Sequence, residues 1–225
     1  MTRDELYLHE EITLLALRDK EGTIEFGICY QQALAGAMLA ELLLNRRITV
    51  VKGKKKFINL VNATPFREPL LDECLETIAT AKKRKQLKDW IAKFAGLKDL
   101  KHRVALGLCQ RGILRPGEDK VLLIFKRKIY PELDPRPEKE LLERLRQAIF
   151  TQTLEIEPRT VVLVSLADTT GLLKANFDKK KLKQRKRRIE RIVNGEVVGK
   201  ATKEAIEAMQ AAVVAVCIVP AIVST

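Results

Sequence analysis

Five consecutive bulky apolar residues, Val121 to Phe125, lie between clusters of basic residues in this chain of 225 residues. Lys126, Arg127 and Lys128 follow the run directly. Such a run is typical of a strand that is buried on both faces, or of one whose outer face meets something other than water. The flanking cations favour the second interpretation, because an anionic membrane surface attracts and holds an apolar segment surrounded by positive charge. An ordinary buried hairpin is the alternative.

The residues before this run predict a basic helix and then a hairpin. Gly112 is placed to end the helix, and Pro116 to Lys120 contains residues typical of a turn. We therefore expect the chain to turn at Pro116 to Lys120 and the apolar run to form the strand that follows. The cations of the predicted helix are Lys98, Lys101, Arg103 and Arg111.

The net charge of +13 and the pI near 9.7 indicate a phosphate-rich partner, either a lipid surface or a nucleic acid. A charge of this size concentrates polyanions around a protein whatever its fold. Between Lys179 and Arg191, nine cations accompany a single acid, Glu190, and Leu182 and Ile189 lie seven residues apart. This pattern predicts a helix whose charged face is either simply solvated or contacts phosphate.

The cysteines and the chain ends indicate a reducing, cytosolic compartment. Cys29, Cys74, Cys109 and Cys217 are far apart and form no CxxC pair, so they predict neither a zinc site nor a disulfide framework. The first residues lack the cationic start and apolar block of a signal peptide. Ala211 to Val223 is apolar but shorter than the roughly 20 residues needed to span a bilayer, and we expect it to form a core helix.

Motifs for catalysis are incomplete. His9 and Glu10 open an HExxH-like pattern, but its second histidine is missing. The segment from Gly195 to Thr202 departs from a nucleotide-binding loop in its spacing, and Ala201 replaces the magnesium-binding hydroxyl. The adjacent acids Glu10 and Glu11 suit helix caps and surface salt bridges better than acid–base chemistry. We therefore expect no enzyme, no metal site and no cofactor.

Apolar residues recur at helical spacing through most of the chain and predict a mainly α fold. The first helix is expected to start at a capping box formed by Thr2 and Glu5. Tyr30 to Asn45 predicts a central helix, and two short strands around the basic turn Lys52 to Lys56 predict a hairpin. We expect a single compact helical domain over residues 1–225 with short β-hairpins, one of them apolar and protruding.

Several short blocks stand out by their order and spacing. They are Leu6 to Leu17, Asp19 to Gly22, Leu34 to Leu42, Pro69 to Glu73, Trp90, and Gly112 to Leu114. Together they resemble the Golgi phosphoprotein 3 family over nearly the whole chain, and the chain is identified as a divergent or prokaryotic member. The resemblance implies a helical domain that binds phosphatidylinositol 4-phosphate on a cytosolic membrane face, where eukaryotic members sort Golgi glycosyltransferases.

Carried over position by position, the resemblance assigns headgroup binding to Lys98, Lys101 and Arg103. It assigns membrane insertion or self-association to a hairpin over roughly Asp119 to Lys128, whose apolar part is Val121, Leu122, Leu123, Ile124 and Phe125. Two positions depart from the family: its headgroup-stacking tryptophan falls on Gly27 or Phe26, and a further arginine falls on Ala35. Lysine also stands here in place of the family's arginines, and its ammonium is a point charge that lacks the bidentate geometry of a guanidinium. The resemblance therefore implies attraction to anionic lipid more than selectivity for the 4-phosphate.

We therefore expect a peripheral membrane protein, cytoplasmic and at the Golgi if the source is eukaryotic, which binds anionic phospholipid membranes and takes part in trafficking. Membrane-protein cargo tails and a second copy of the chain are further candidate partners. The alternative is a winged-helix-like nucleic-acid binder that uses Lys52 to Lys56 and Lys179 to Arg191. Nucleic acid is the less favoured partner, since a groove-binding wing is normally polar or basic at its tip.

Overall fold

The computed structural model describes residues 5–18, 23–24, 30–51, 53, 55–121, 125–153 and 155–197. Within these ranges it contains ten helices and three two-stranded antiparallel sheets, which confirms the predicted mainly α fold with short hairpins. The predicted core helix from Ala211 to Val223 lies outside the described residues.

The elements follow one another with short connections. The helices are α1 (Leu8–Ala16), α2 (Tyr30–Leu44), α3 (Pro69–Ala79), α4 (Leu87–Ala95), α5 (Leu100–Gln110), α6 (Arg136–Phe150), α7 (Pro158–Thr169), α8 (Leu172–Asn176), α9 (Lys179–Gln184) and α10 (Lys186–Val193). The strands are β1 (Leu17–Arg18), β2 (Thr23–Ile24), β3 (Ile48–Val50), β4 (Ile58–Leu60), β5 (Gly117–Val121) and β6 (Phe125–Ile129). β1 pairs with β2, β3 with β4, and β5 with β6.

α2 is the central helix, as its apolar pattern predicts. Ala33, Ala37 and Ala40 are buried, and α1, α4 and α7 all lie against α2. Small side chains at these positions let the neighbouring helices approach closely. Trp90 and Phe94 of α4 fill the space beside α2, with their ring centroids 5.5 Å apart. The core of the described residues is therefore built around α2.

Side-chain hydrogen bonds fix the direction of α1 relative to α2. The N–H of Leu8, at the start of α1, donates to the carboxylate of Glu41 near the end of α2, at 3.0 Å. The hydroxyl of Tyr30, at the start of α2, donates to Oγ1 of Thr13 in the second half of α1, also at 3.0 Å. The two helices are therefore antiparallel. We call the two ends of the first helix the α1 amino end and the α1 carboxyl end.

The directions of α5 and α7 follow from two ion pairs at the α1 amino end. Nη1 of Arg111, directly after α5, lies 2.6 Å from Oε2 of Glu10, so α5 ends there. Nη1 of Arg159, in the first turn of α7, lies 3.0 Å from Oε1 of Glu41, so α7 starts there. The start of α5 and the end of α7 therefore point away from the α1 amino end.

α8 and α9 meet at the α1 carboxyl end. Nδ2 of Asn176, the last residue of α8, donates to the carbonyl of Leu15 at 2.8 Å, and α9 begins at residue 179. The single basic helix predicted over residues 179–191 is in fact two helices, α9 and α10, which break at Arg185. Leu182 and Ile189 are nevertheless both buried, as their spacing predicts.

α1 begins later than the sequence pattern predicts. Tyr7 is its N-cap, and the carboxylate of Glu10 accepts the N–H of Tyr7 at 2.8 Å. A glutamate three residues into a helix satisfies the amide of the cap residue in this way. Glu5 precedes the helix and Thr2 lies outside the described residues, so the predicted capping box does not start α1.

The acids of α1 lie in the core, which corrects the expectation of surface salt bridges. Glu10 and Glu11 are buried, and so is Glu41 of α2. Desolvation raises the pKa of Glu10 and of Glu11, and the arginines beside them act in the opposite direction. An arginine partner offsets part of the cost of burying a carboxylate. The pairs are Glu10 with Arg111 at 2.6 Å, Glu11 with Arg144 at 2.5 Å, and Glu41 with Arg159 at 3.0 Å.

Arg159→Met is expected to destabilise the protein strongly. The side chain of Glu41 is 0% exposed, so the substitution leaves a buried carboxylate without its cation, at a cost of about 3–5 kcal/mol in the free energy of unfolding. Arg146→Met is the matched control, because Arg146 and its partner Glu143 are 55% and 52% exposed and such pairs contribute less than about 1 kcal/mol. Urea unfolding measures both values, and equal losses would contradict the prediction.

His9 is expected to make stability depend on pH. Burial, with Arg159 and Arg111 nearby, lowers the pKa of His9 to about 3. The unfolded chain takes up this proton near pH 6.5, so the His9 contribution to stability is lost as the pH falls below that value, by about 1.4 kcal/mol per unit. His9→Asn should therefore show a smaller loss between roughly pH 7 and pH 5 than the parent chain does. Urea unfolding across this range tests it, and parallel losses in the two chains would refute it.

Candidate functional site

Lys98 and Lys101 lie at the start of α5. The helix begins at Leu100, so Lys98 is an exposed residue of the preceding turn and Lys101 is half-buried in the first helical turn. Asp99 adopts a left-handed conformation with φ 53°, which turns the chain into the helix. Because α5 ends at the α1 amino end, these two lysines lie at the far end of α5 from it.

Arg103 is held by α3. Its Nη2 lies 2.5 Å from Oε2 of Glu73, and the two side chains are 34% and 39% exposed. Positions 101 and 103 of a helix are separated by about 200° of rotation, so their side chains leave α5 in different directions. Arg103 can therefore join Lys101 on a phosphate only by leaving Glu73.

His102 connects the start of α5 to the hairpin of β5 and β6. Its Nδ1 lies 3.0 Å from the hydroxyl oxygen of Tyr130, which follows β6. Burial lowers the pKa of His102, and the charges of Lys101 and Lys128 lower it further. The cations of α5 and of β6 thus act on the same imidazole. Lys98 lies in the turn directly before α5, and we call Lys98, Lys101 and Lys128 the basic cluster.

The charges of the hairpin change along its length. From base to tip, the opposed positions are Glu118 and Lys128, Asp119 and Arg127, Lys120 and Lys126, and Val121 and Phe125. In this register the first two pairs bring together residues of opposite charge, the third two lysines and the fourth two apolar residues. The residue types therefore change from mixed charge at the base to lysine and then apolar residues toward the far end of the hairpin.

The hairpin turns later than the sequence predicts. The predicted turn at Pro116 to Lys120 falls mostly within β5, which runs to Val121. Val121 ends β5 and Phe125 begins β6, so the apolar run is divided between two strands and does not form one. Leu122, Leu123 and Ile124 lie outside the described residues.

Gly117 explains part of this difference. In a sequence, a Pro-Gly pair favours a turn. Here Gly117 opposes Ile129 at the base of the hairpin, and a Cβ atom on Gly117 would lie 3.2 Å from Cγ1 of Ile129. The glycine therefore allows close strand pairing instead of making the turn.

β6 lies at the α1 carboxyl end. β1 follows α1 directly and pairs with β2, and β2 in turn lies against β6. The contact of His102 with Tyr130, directly after β6, joins this strand to the start of α5. The basic cluster and β6 are therefore brought together at one end of the molecule.

The two positions at which this chain departs from the family's headgroup site carry no cation. Ala35 is fully buried within α2. Gly27 and Phe26 lie outside the described residues.

A cleft of about 860 Å³ at the α1 amino end has no counterpart among the predicted sites. Its lining includes the acids Glu5, Glu68 and Glu140 as well as Arg67 and Arg136. This mixture of charges does not favour an anionic headgroup. The lining residues come from well-separated segments of the chain, so no local motif signals the cleft.

The two basic segments of the nucleic-acid alternative belong to separate elements. Lys55 and Lys56 belong to the connection between β3 and β4, and hydrogen bonds join Lys56 and Ile58 to the residues at and just before the start of α4. Lys179 begins α9 at the α1 carboxyl end.

Metal ligands and membrane spans are absent from the part of the chain that the structure describes. No three histidine, cysteine or carboxylate side chains there are grouped to hold a metal ion. No helix among these residues is both long and apolar enough to cross a bilayer.

The helices around α2 and the three small hairpins define a mainly helical protein whose basic cluster and hairpin share one end. Residues 8–209 match the family model described as Golgi phosphoprotein 3 (GPP34), and the chain belongs to this family.

Two similar proteins are each named vacuolar protein sorting-associated protein 74, one from Eremothecium gossypii and one from Schizosaccharomyces pombe. Each is 29% identical over 174 residues, which cover 68% of this chain. The match covers 51% of the first protein and 50% of the second, so the chain spans about half the length of these relatives.

Proposed function

We propose that the protein is a peripheral membrane protein that binds anionic phospholipid headgroups, of the phosphatidylinositol 4-phosphate type, and acts as an adaptor in membrane trafficking. It performs no catalysis in this role. It works on the cytoplasmic side of a membrane, at the Golgi if the source is eukaryotic. The family match and the sorting role in the names of the two relatives support the trafficking part.

The observation that carries the lipid-binding part is the change of character along the hairpin. Opposed cations at Lys120 and Lys126 are followed by the apolar pair of Val121 and Phe125. The phosphates of a leaflet attract lysines, and its acyl region accepts apolar residues. The hairpin thus suits an interface that is anionic outside and apolar inside.

The basic cluster supplies the headgroup contacts. Lys98 and Lys101 attract a phosphate as point charges, and Lys128 adds a third cation from the hairpin. Arg103 is less available to a phosphate, because the phosphate must compete with Glu73 for its guanidinium. This arrangement binds anionic lipid with modest selectivity among headgroups. The open edges of the two-stranded hairpin also allow pairing with a second copy of the chain.

Replacing two apolar residues of the hairpin is expected to weaken membrane binding. Leu122→Ser with Leu123→Ser should lower affinity for anionic vesicles at least about tenfold, since each leucine removed from water contributes roughly 1.5–3 kcal/mol. Leu60→Ser with Val61→Ser is the matched control, because these residues are 40% and 57% exposed on the β3–β4 hairpin. Vesicle flotation measures both, and unchanged binding of the first variant would argue against insertion.

Neutralising the cluster is expected to reduce headgroup binding. Lys98→Gln with Lys101→Gln should weaken binding to vesicles containing phosphatidylinositol 4-phosphate by more than about tenfold, at about fivefold per charge. Lys82→Gln with Lys83→Gln removes equal charge from an exposed loop and should have little effect. Phosphatidylserine vesicles of equal surface charge show whether the loss is specific to the headgroup. Equal losses in both variants would reject the cluster as the binding site.

A further inference from the structure

The cations of α9 and α10 are exposed, except for Arg188, which is half-buried. The two helices bury Leu182, Ile189 and Ile192. We call the nine cations of this segment the α9–α10 ridge. They are Lys179, Lys180, Lys181, Lys183, Arg185, Lys186, Arg187, Arg188 and Arg191.

Acidic side chains balance little of the ridge. Lys186 lies 3.8 Å from Glu190, and Arg191 lies 3.3 Å from Glu196. Among the described residues, no ion pair reaches the other seven cations of the ridge. Two of the seven, Arg185 and Arg188, donate to main-chain carbonyls in the last turn of α6 and just after it, which fixes the ridge against that helix without neutralising it.

Several of these cations crowd one another. α10 has no acid in its first turn, where the helix dipole favours negative charge, whereas Asp178 caps the start of α9. Lys179 and Lys183 lie four residues apart in α9, a spacing at which like charges repel. Burial lowers the pKa of Arg188, and the charges of Arg191 and Arg185 lower it further. Such crowding is relieved when an external anion approaches the ridge.

The start of the ridge lies at the same end of the molecule as the hairpin. Asn176, just before α9, donates to the carbonyl of Leu15 at the α1 carboxyl end. Phe177 lies against Phe150, with ring centroids 5.7 Å apart, and thereby holds the start of α9 beside the end of α6. The strand β6 reaches the same end of α1 through β2 and β1. A single flat anionic surface can therefore touch both features.

We propose that the α9–α10 ridge is a second membrane contact, which attracts an anionic leaflet without recognising a particular headgroup. This inference rests on the proposed function and adds to it an electrostatic surface outside the basic cluster. A lipid surface fits better than a duplex, because the hairpin of β5 and β6, which carries the apolar run in its sequence, shares this end of the molecule.

The test uses the full chain and a triple substitution in α9. Lys179→Gln, Lys180→Gln and Lys183→Gln change exposed residues that make no ion pair among the described residues, so the fold should persist. The control is Lys82→Gln, Lys83→Gln and Lys88→Gln, which removes the same charge from exposed positions around the α3–α4 loop. Hydrogen bonds join this loop to the β3–β4 hairpin, away from α9 and α10 in the sequence. Circular dichroism confirms that both variants are folded.

Binding is measured by flotation with vesicles of phosphatidylcholine alone and of equal parts phosphatidylcholine and phosphatidylserine. The α9 variant should lose roughly a hundredfold in affinity for the anionic vesicles at low salt, at about fivefold per charge, and less at moderate salt. The control variant should lose clearly less. Duplex DNA added as a competitor should displace the parent chain weakly.

The outcomes separate this inference from the proposed function. If the parent chain binds and the hairpin variant binds more weakly, but the α9 variant matches its control, the ridge is not a membrane contact and the proposed function stands. If the α9 variant loses DNA binding and keeps vesicle binding, the ridge serves nucleic acid and the inference is wrong. If the parent chain does not bind anionic vesicles, both proposals are wrong.

Discussion

The structure depends on three ion pairs that hold buried glutamates inside a helical core. Glu10, Glu11 and Glu41 are each paired with an arginine from a different later element. Arg159 also donates to the carbonyl of Leu6, so it holds the chain before α1 as well as α2. Removing one partner of such a pair lowers the free energy of unfolding far more than replacing both partners with apolar residues does. The network therefore favours one arrangement of the helices.

Much of the architecture can be predicted from the sequence, because it follows from local periodicity. The alanines and leucines of Tyr30 to Asn45 predict the central helix, and the basic segment Lys52 to Lys56 predicts the hairpin around it. The hairpin after α5 is also predictable, but its turn is not. Gly117 is compatible with both a turn and a tight strand pair, and only the contact with Ile129 selects the pair.

The candidate site is less predictable, since charges find partners far away in the sequence. Glu10 and Glu11 are adjacent, which in isolation indicates a solvated helix surface, yet the arginines that allow their burial come from α6 and the residue after α5. The ion pair of Arg103 with Glu73 likewise joins α5 to α3, and no local sequence pattern predicts it. Composition indicates how basic the protein is, whereas tertiary pairing decides which cations remain available.

The same long-range pairing constrains how the chain can fold during synthesis. The partners of Glu10, Glu41 and Glu11 lie 101, 118 and 133 residues further along the chain. A nascent chain that has made only α1 and α2 holds acids that it cannot yet neutralise in a core. Stable docking of α1 must therefore wait until α7 has left the ribosome, so an early pause or truncation leaves the amino-terminal helices open to chaperones and proteases.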